Sequence, residues 1–370
     1  MMFDRRLIFH INWGLLTLTA ILFLVGVMNL YSASTLRMVS GLELDAYFNK
    51  QLLWGGVGLC VMTAVVLVDY RHLKSVSWPF FILCLLLLLG VVVAGKTIYG
   101  AKRWLDLGFF NLQPTELTKI AVLVLGARLM ARMEGRLGWV NLGKILLVGL
   151  IPAAFVVKQP DLGSALNILL ILGGMILFKG ITSSVFKVLA VVFPVMLPFG
   201  WFFLHDYQKQ RIMTFLDPGN DPLGAGYHII QSQIAIGSGG FWGKGFLEGT
   251  QSQLRFLPEK HTDFAFAVFG EEWGFFGAMV LLILFCSFLY QLYIVTMEAK
   301  DDFGSYLAAG VFFYFFWQIL INIGMVLGIM PVVGIPLPFI SYGGSASVVN
   351  FCMIGLVLNV AMRRFVFKKG

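Results

Sequence analysis

Charge is scarce in this sequence: Lys, Arg, Asp and Glu make up 12% of its 370 residues, against 59% hydrophobic residues. A soluble domain of that composition would leave most of its surface apolar, so a water-soluble enzyme is excluded and bilayer lipid is the solvent. Cysteine is also scarce. Cys60, Cys84, Cys286 and Cys352 stand inside apolar runs, without CxxC or metal-ligand spacing, and read as small hydrophobes rather than redox or thiolate-metal groups. Of the few histidines, His228 and His261 could shuttle protons, but no partner stands at a zinc-site spacing, and ordinary polar loop contacts are the better reading. Coiled coil, low-complexity tract and internal repeat are all missing, which weighs against an inverted-repeat transporter.

What is present is a series of apolar stretches of spanning length, at 10–31, 52–69, 78–94, 115–131, 143–158, 163–181, 184–204, 264–295, 304–327 and 343–362. They predict an all-α polytopic membrane protein of about ten transmembrane helices, with residues 1–370 forming one transmembrane domain. The first stretch is too long for a signal-peptide core and has no small-residue cleavage site after it, so it reads as a retained span. An inside N-terminus gathers Arg5, Arg6, Arg71, Lys74, Arg128, Arg132, Arg136, Lys144, Lys179, Lys187, Arg363, Arg364, Lys368 and Lys369 on the cytoplasmic side. Topology thereby absorbs most of the formal net charge of +8, and a nucleic-acid partner is not required.

The same topology sends 95–114, 205–262 and 328–342 outward, with 205–262, between the seventh and eighth spans, by far the longest. Within it, AGYHIIQSQIAIGSGG puts Ile229, Ile230 and Ile234 on one stripe of a helix lying at the membrane surface or packed on the bundle. GSGGFWGKG lacks P-loop spacing and reads as a turn that lets chains approach closely. Pro331, Pro336 and Pro338 forbid continuous helix near the ninth and tenth spans, while Gly343 and Gly344 permit close approach, giving another wall of the outer cavity.

Charged groups at membrane depth cost several kcal/mol unless paired or hydrated, so each is a candidate for function. Glu116 and Lys119, three residues apart, share a helix face; a structural ion pair and a place in the site are equally good readings. Asp161 and Asp263 each stand where a helix begins, and either could be a plain cap. Glu271 and Glu272 follow two turns beyond Asp263 and call for partners more than for chemistry. Lys96, Lys102, Arg103, Lys209, Arg211, Lys244, Arg255 and Lys260 oppose the topological trend by facing outward. Cations around a carboxylate at the bilayer boundary suit an anionic membrane-anchored substrate, with the carboxylate as general base.

The segments DPLGAGYHIIQSQIAIGSGG, GTQSQLRFLPEKHTDFAFAVFGEE and PLPFISYGGSA resemble signatures of the bacterial SEDS (shape, elongation, division and sporulation) family over nearly the whole chain. GTQSQL and VVGIPLP are closer to its elongation members than to its division members. The resemblance implies a ten-span peptidoglycan glycosyltransferase in the bacterial cytoplasmic membrane, with both termini inside and the active site on the outer face. It would polymerise lipid II onto a lipid-linked glycan strand alongside a class B penicillin-binding protein (a PBP2-type transpeptidase) and other elongation-complex proteins. It carries the family's essential carboxylate onto Asp263 and supporting polar roles onto Glu116, Lys119, Asp161, Glu259 and Lys260. Thr115, in place of the usual Ser, and Trp273, after the paired glutamates, are the departures.

The implied chemistry is inverting attack of an acceptor 4-hydroxyl on donor C1, with undecaprenyl pyrophosphate leaving. Arg103, Arg211 or Lys260, with Mg or Mn as a possible divalent cation, would neutralise the diphosphate. A lipid II flippase is the runner-up, since a multispan bundle with buried charges could also move an anionic lipid. A noncatalytic scaffold accounts for the helices but not for the acid and cation cluster.

Overall fold

The computed structural model describes residues 10–364 except 39–40, 45–46, 99–100, 107, 109–110, 204–205, 221–223, 255 and 258. Arg5, Arg6, Lys368, Lys369 and Arg255, expected above as cytoplasmic or outward cations, lie outside the described residues.

Among the described residues thirteen α-helices run α1 (Trp13–Ser34), α2 (Tyr47–Leu67), α3 (Leu73–Ala94), α4 (Pro114–Arg132), α5 (Trp139–Lys158), α6 (Leu162–Lys179), α7 (Ser183–Phe203), α8 (Asp206–Leu216), α9 (Ala225–Gly239), α10 (Thr250–Gln253), α11 (Ala265–Met297), α12 (Asp302–Val326) and α13 (Gly344–Met362). A hairpin of β1 (Thr35–Met38) and β2 (Gly41–Leu44) follows α1, and antiparallel β3 (Lys96–Ile98), β4 (Ala101–Asp106) and β5 (Asn111–Leu112) join α3 to α4. The protein is thus all-α and membrane-spanning, the solution lipid allows because a helix satisfies its own backbone. Among the described residues eight helices are long and apolar enough to cross a bilayer. The charged α4, with Glu116, Lys119, Arg128 and Arg132, and α7, with Pro194 and Pro198 inside it, are outside that group.

α4, α12 and α13 form the interior, with Leu123, Leu125, Val311, Phe315, Ile354 and Val357 fully enclosed. The outer faces of α3 and α7 present Leu83, Val93 and Phe202 to lipid. At one end of the bundle Arg71 pairs with Asp301 (3.5 Å) and Arg363 with Asp69 (3.6 Å), tying α3, α12 and α13 together.

Two expectations need correcting. The surface helix exists as α9, but Gly226, Ile229, Ser232 and Ala235 form its buried face, and Ile234 points outward. The docking face is set by close packing against α11 and α12, where small residues fit, and not by the isoleucine stripe. Ser232 Oγ donates from that face to the carbonyl of Val326 on α12 (2.9 Å). Second, α11 is not one continuous span: Gly274 has φ 64° and ψ −165°, which breaks it after nine residues. The glycine-rich turn lies against this break, with Lys244 N–H donating to Glu271 O and Gly245 N–H to Glu272 O (both 3.0 Å). A Cβ on Gly274 would sit 2.2 Å from Gly243 N, so the two chains touch backbone to backbone, as the turn's composition suggested.

Candidate active site

Asp161 caps α6, its Oδ1 accepting from Ser164 N–H at 3.1 Å, so the plain cap reading holds. Its Oδ2 faces Arg103 Nε of β4 at 3.8 Å, and Arg103 also donates to the carbonyl of Pro160, which pins the turn before α6. The start of α6 rests on the proline-rich segment, since a Cβ on Gly163 would lie 2.2 Å from Val333 O. Arg211 of α8 reaches the same segment and donates to the carbonyl of Val332 at 3.1 Å.

Asp263 stands where these parts meet, just before α11. Burial pushes its carboxyl up from 3.8 to about 6, and the negative charges of Glu259 and Asp161 add to the rise while Arg211 and Arg103 oppose it. A Cβ on Gly334 would lie 3.4 Å from Asp263 Oδ2, so the proline-rich wall comes close to one carboxylate oxygen. Glu259 accepts from the Thr262 hydroxyl at 3.0 Å, closing the turn that delivers Asp263.

Five residues singled out from the sequence are therefore brought together: the charges of Arg103, Asp161, Arg211 and Glu259 all act on the Asp263 carboxyl, although the five come from four separate segments. The others are held by contacts of their own. Lys260 is buried, with Nζ donating to Ser252 O at 2.7 Å. Glu116 and Lys119 form a buried pair of 2.6 Å, with Lys119 Nζ 5.7 Å from the Tyr314 ring centroid and the Tyr314 hydroxyl donating to Asn350 Oδ1 at 2.7 Å. Glu271, fully buried, accepts from Lys244 Nζ (2.7 Å), Thr250 Oγ1 (3.0 Å) and Gln251 N–H (3.0 Å), the pairing its depth demanded. Glu272 accepts from the Ser32 hydroxyl of α1. His228 stacks on Phe264 at 5.9 Å, and burial lowers its pKa, leaving it neutral near pH 7.

Asn322 was missed. Its Nδ2 donates to the carbonyls of both Asp263 (3.0 Å) and Ile335 (2.8 Å). The signal was present in FWQILINIGMV, where Gln and Asn interrupt an apolar span, but an uncharged amide draws less notice than a carboxylate.

A profile of the FtsW/RodA/SpoVE cell cycle proteins matches residues 13–365. Among curated proteins, the chain is 42% identical to the peptidoglycan glycosyltransferase MrdB of Escherichia coli K12 over 92% of either chain. It is 33% identical to stage V sporulation protein E of Bacillus subtilis 168, over 94% of this chain and 96% of that one. Among solved structures, the rod shape determining protein RodA of Thermus thermophilus aligns with a TM-score of 0.71 at 28% identity, over 96% of this chain and 98% of that one. A chain from a peptidoglycan synthase complex that coordinates polymerization and crosslinking aligns with a TM-score of 0.82 at 29% identity, over 96% and 99%.

Proposed function

The chain belongs to the FtsW/RodA/SpoVE family of cell cycle proteins, and on that premise we propose that it is a peptidoglycan glycosyltransferase of the elongation branch, polymerising lipid II with Asp263 as the base. The observation that carries the assignment of the base is the Asp263 carboxyl, raised by burial to about 6 and acted on by the charges of Arg103 and Arg211. A base works best with a pKa near the working pH, and this one remains largely ionised at neutrality.

The acceptor 4-hydroxyl oxygen attacks C1 of the donor sugar, the bond from C1 to the diphosphate oxygen breaks, and the hydroxyl proton passes to Asp263. Undecaprenyl diphosphate leaves as an anion and the configuration at C1 inverts. Arg211 and Arg103 supply positive charge where negative charge gathers, in place of the acid a glycosidase uses. Asp161 holds Arg103 in place at 3.8 Å. Lys260 braces the loop through Ser252 O, and the Glu116–Lys119 pair supports the bundle beneath. Among the described residues no group of three or more His, Cys, Asp or Glu could cage a metal. Mg or Mn, carried in with the diphosphate, would need only one carboxylate from the protein, for which Asp161 and Glu259 are the candidates, and would add positive charge to the leaving group.

The multispan fold and the cation distribution support a place in the bacterial cytoplasmic membrane, with both termini inside and the site outward. The synthase-complex relative supports a crosslinking partner, a class B penicillin-binding protein of the PBP2 type, within the elongation machinery. Purified protein with that partner is expected to convert lipid II into glycan strands. Movement of lipid II across vesicles without polymer would favour a flippase instead.

A further inference from the structure

Asn322 lies on α12 with its side chain wholly buried, and its amide spans two stretches of irregular chain. One hydrogen-bonded carbonyl belongs to Asp263, in the turn before α11; the other belongs to Ile335, in the PVVGIPLP run. Backbone outside helices at this depth must find donors, and Pro331, Pro336 and Pro338 remove three of the run's own N–H groups. Both carbonyls require a donor, which fixes which way the Asn322 amide faces. Gly334, next to Ile335 and in the left-handed region (φ +73°), is the residue whose Cβ would stand 3.4 Å from Asp263 Oδ2. The two chains that Asn322 ties are therefore those that face each other across the carboxylate. Asn322 Oδ1 has no hydrogen-bond partner among the described residues.

We propose that Asn322 is a positioning residue for glycosyl transfer: by bridging the carbonyls of Asp263 and Ile335 it fixes the gap between the base and the wall opposite. This rests on the reading of Asp263 as the proton acceptor. The clamp also keeps water from the carboxylate, and exclusion of water is the main cause of its raised pKa.

The test uses the full chain with its transpeptidase partner and lipid II as substrate, comparing Asn322→Leu, which keeps the volume and loses both donors, with the smaller Asn322→Ser. Misplacement of a catalytic group by about 1 Å costs about 100-fold, so turnover of folded Asn322→Leu should fall by about that factor with KM little changed. The acid limb of kcat/KM, expected near pH 6 in the parent from the Asp263 carboxyl, should move to lower pH as water reaches the carboxylate and its pKa falls. Parental turnover and an unmoved limb in either folded variant would overturn the proposal. So would a loss that only tracks the folded fraction, or failure of both variants to fold, since each leaves Asn322 a folding residue. An active Asp263→Asn protein would instead refute the role of Asp263, whatever Asn322 does.

Discussion

Removing the Glu271 carboxylate should free the strap that crosses the break in α11. Glu271 is fully buried and its Oε1 takes three hydrogen bonds, from Lys244 Nζ at 2.7 Å and from Thr250 Oγ1 and Gln251 N–H at 3.0 Å. Hydrogen bonds to a charged group contribute about 1.5–3 kcal/mol each, but desolvation of the carboxylate offsets much of that sum. Breaking a buried pair by deleting one partner costs about 3–5 kcal/mol. The Lys244 side chain is 26% exposed and can turn to water when orphaned, which places Glu271→Ala at the low end, about 3 kcal/mol. Thermal unfolding of Glu271→Ala, Lys244→Ala and the double variant in nanodiscs gives a cycle whose coupling should exceed about 0.5 kcal/mol, with the double variant scarcely worse than Glu271→Ala. Protease should cut 240–253 faster in Glu271→Ala. Additive single effects with unchanged cleavage would refute the strap.

Gly274→Ala should destabilise by at least about 1–3 kcal/mol, because φ 64° strains any side chain and the new Cβ would meet Gly243 N at 2.2 Å. Gly90→Ala, with open space around its Cβ, serves as the control in the same melting assay. Arg211→Gln removes a charge that lowers the Asp263 pKa, so the carboxyl should stay protonated to higher pH and the acid limb of kcat/KM should move upward from about 6. A downward move would contradict that sign. His228→Phe should keep activity at pH 7, because the imidazole is held neutral and packs on Phe264; complete loss in a polymerisation assay would mean that the ring carries protons.

The spans were legible because lipid demands long apolar runs, and α3 and α12 announce themselves by composition alone. Asp161 was legible as a cap and Asp263 as a carboxylate at a helix start, since both roles depend on near neighbours in sequence. The break in α11 was not: no proline marks it, and what stabilises Gly274 in its left-handed conformation is contact with Gly243, distant in the chain. The buried face of α9 was misread because Ser232 and Ala235, not Ile234, match the surface of the bundle. The gathering of Arg103, Asp161 and Arg211 around Asp263 depends on how β4 meets the start of α6 and how α6 and α8 meet the proline-rich segment, which no local spacing encodes. The strap bonds of Lys244, like the clamp of Asn322, join segments remote in sequence.

The central claim is that Asp263 accepts the proton during glycan polymerisation. Asp263→Asn keeps the side-chain shape and the carbonyl bond from Asn322 while removing the basic oxygen. With lipid II and the partner transpeptidase, the variant should melt at or above the parental temperature, because a buried carboxylate held above its ordinary pKa destabilises the fold when ionised at neutral pH, and it should form no glycan strands. Parental rates of strand formation by the folded variant would contradict the account.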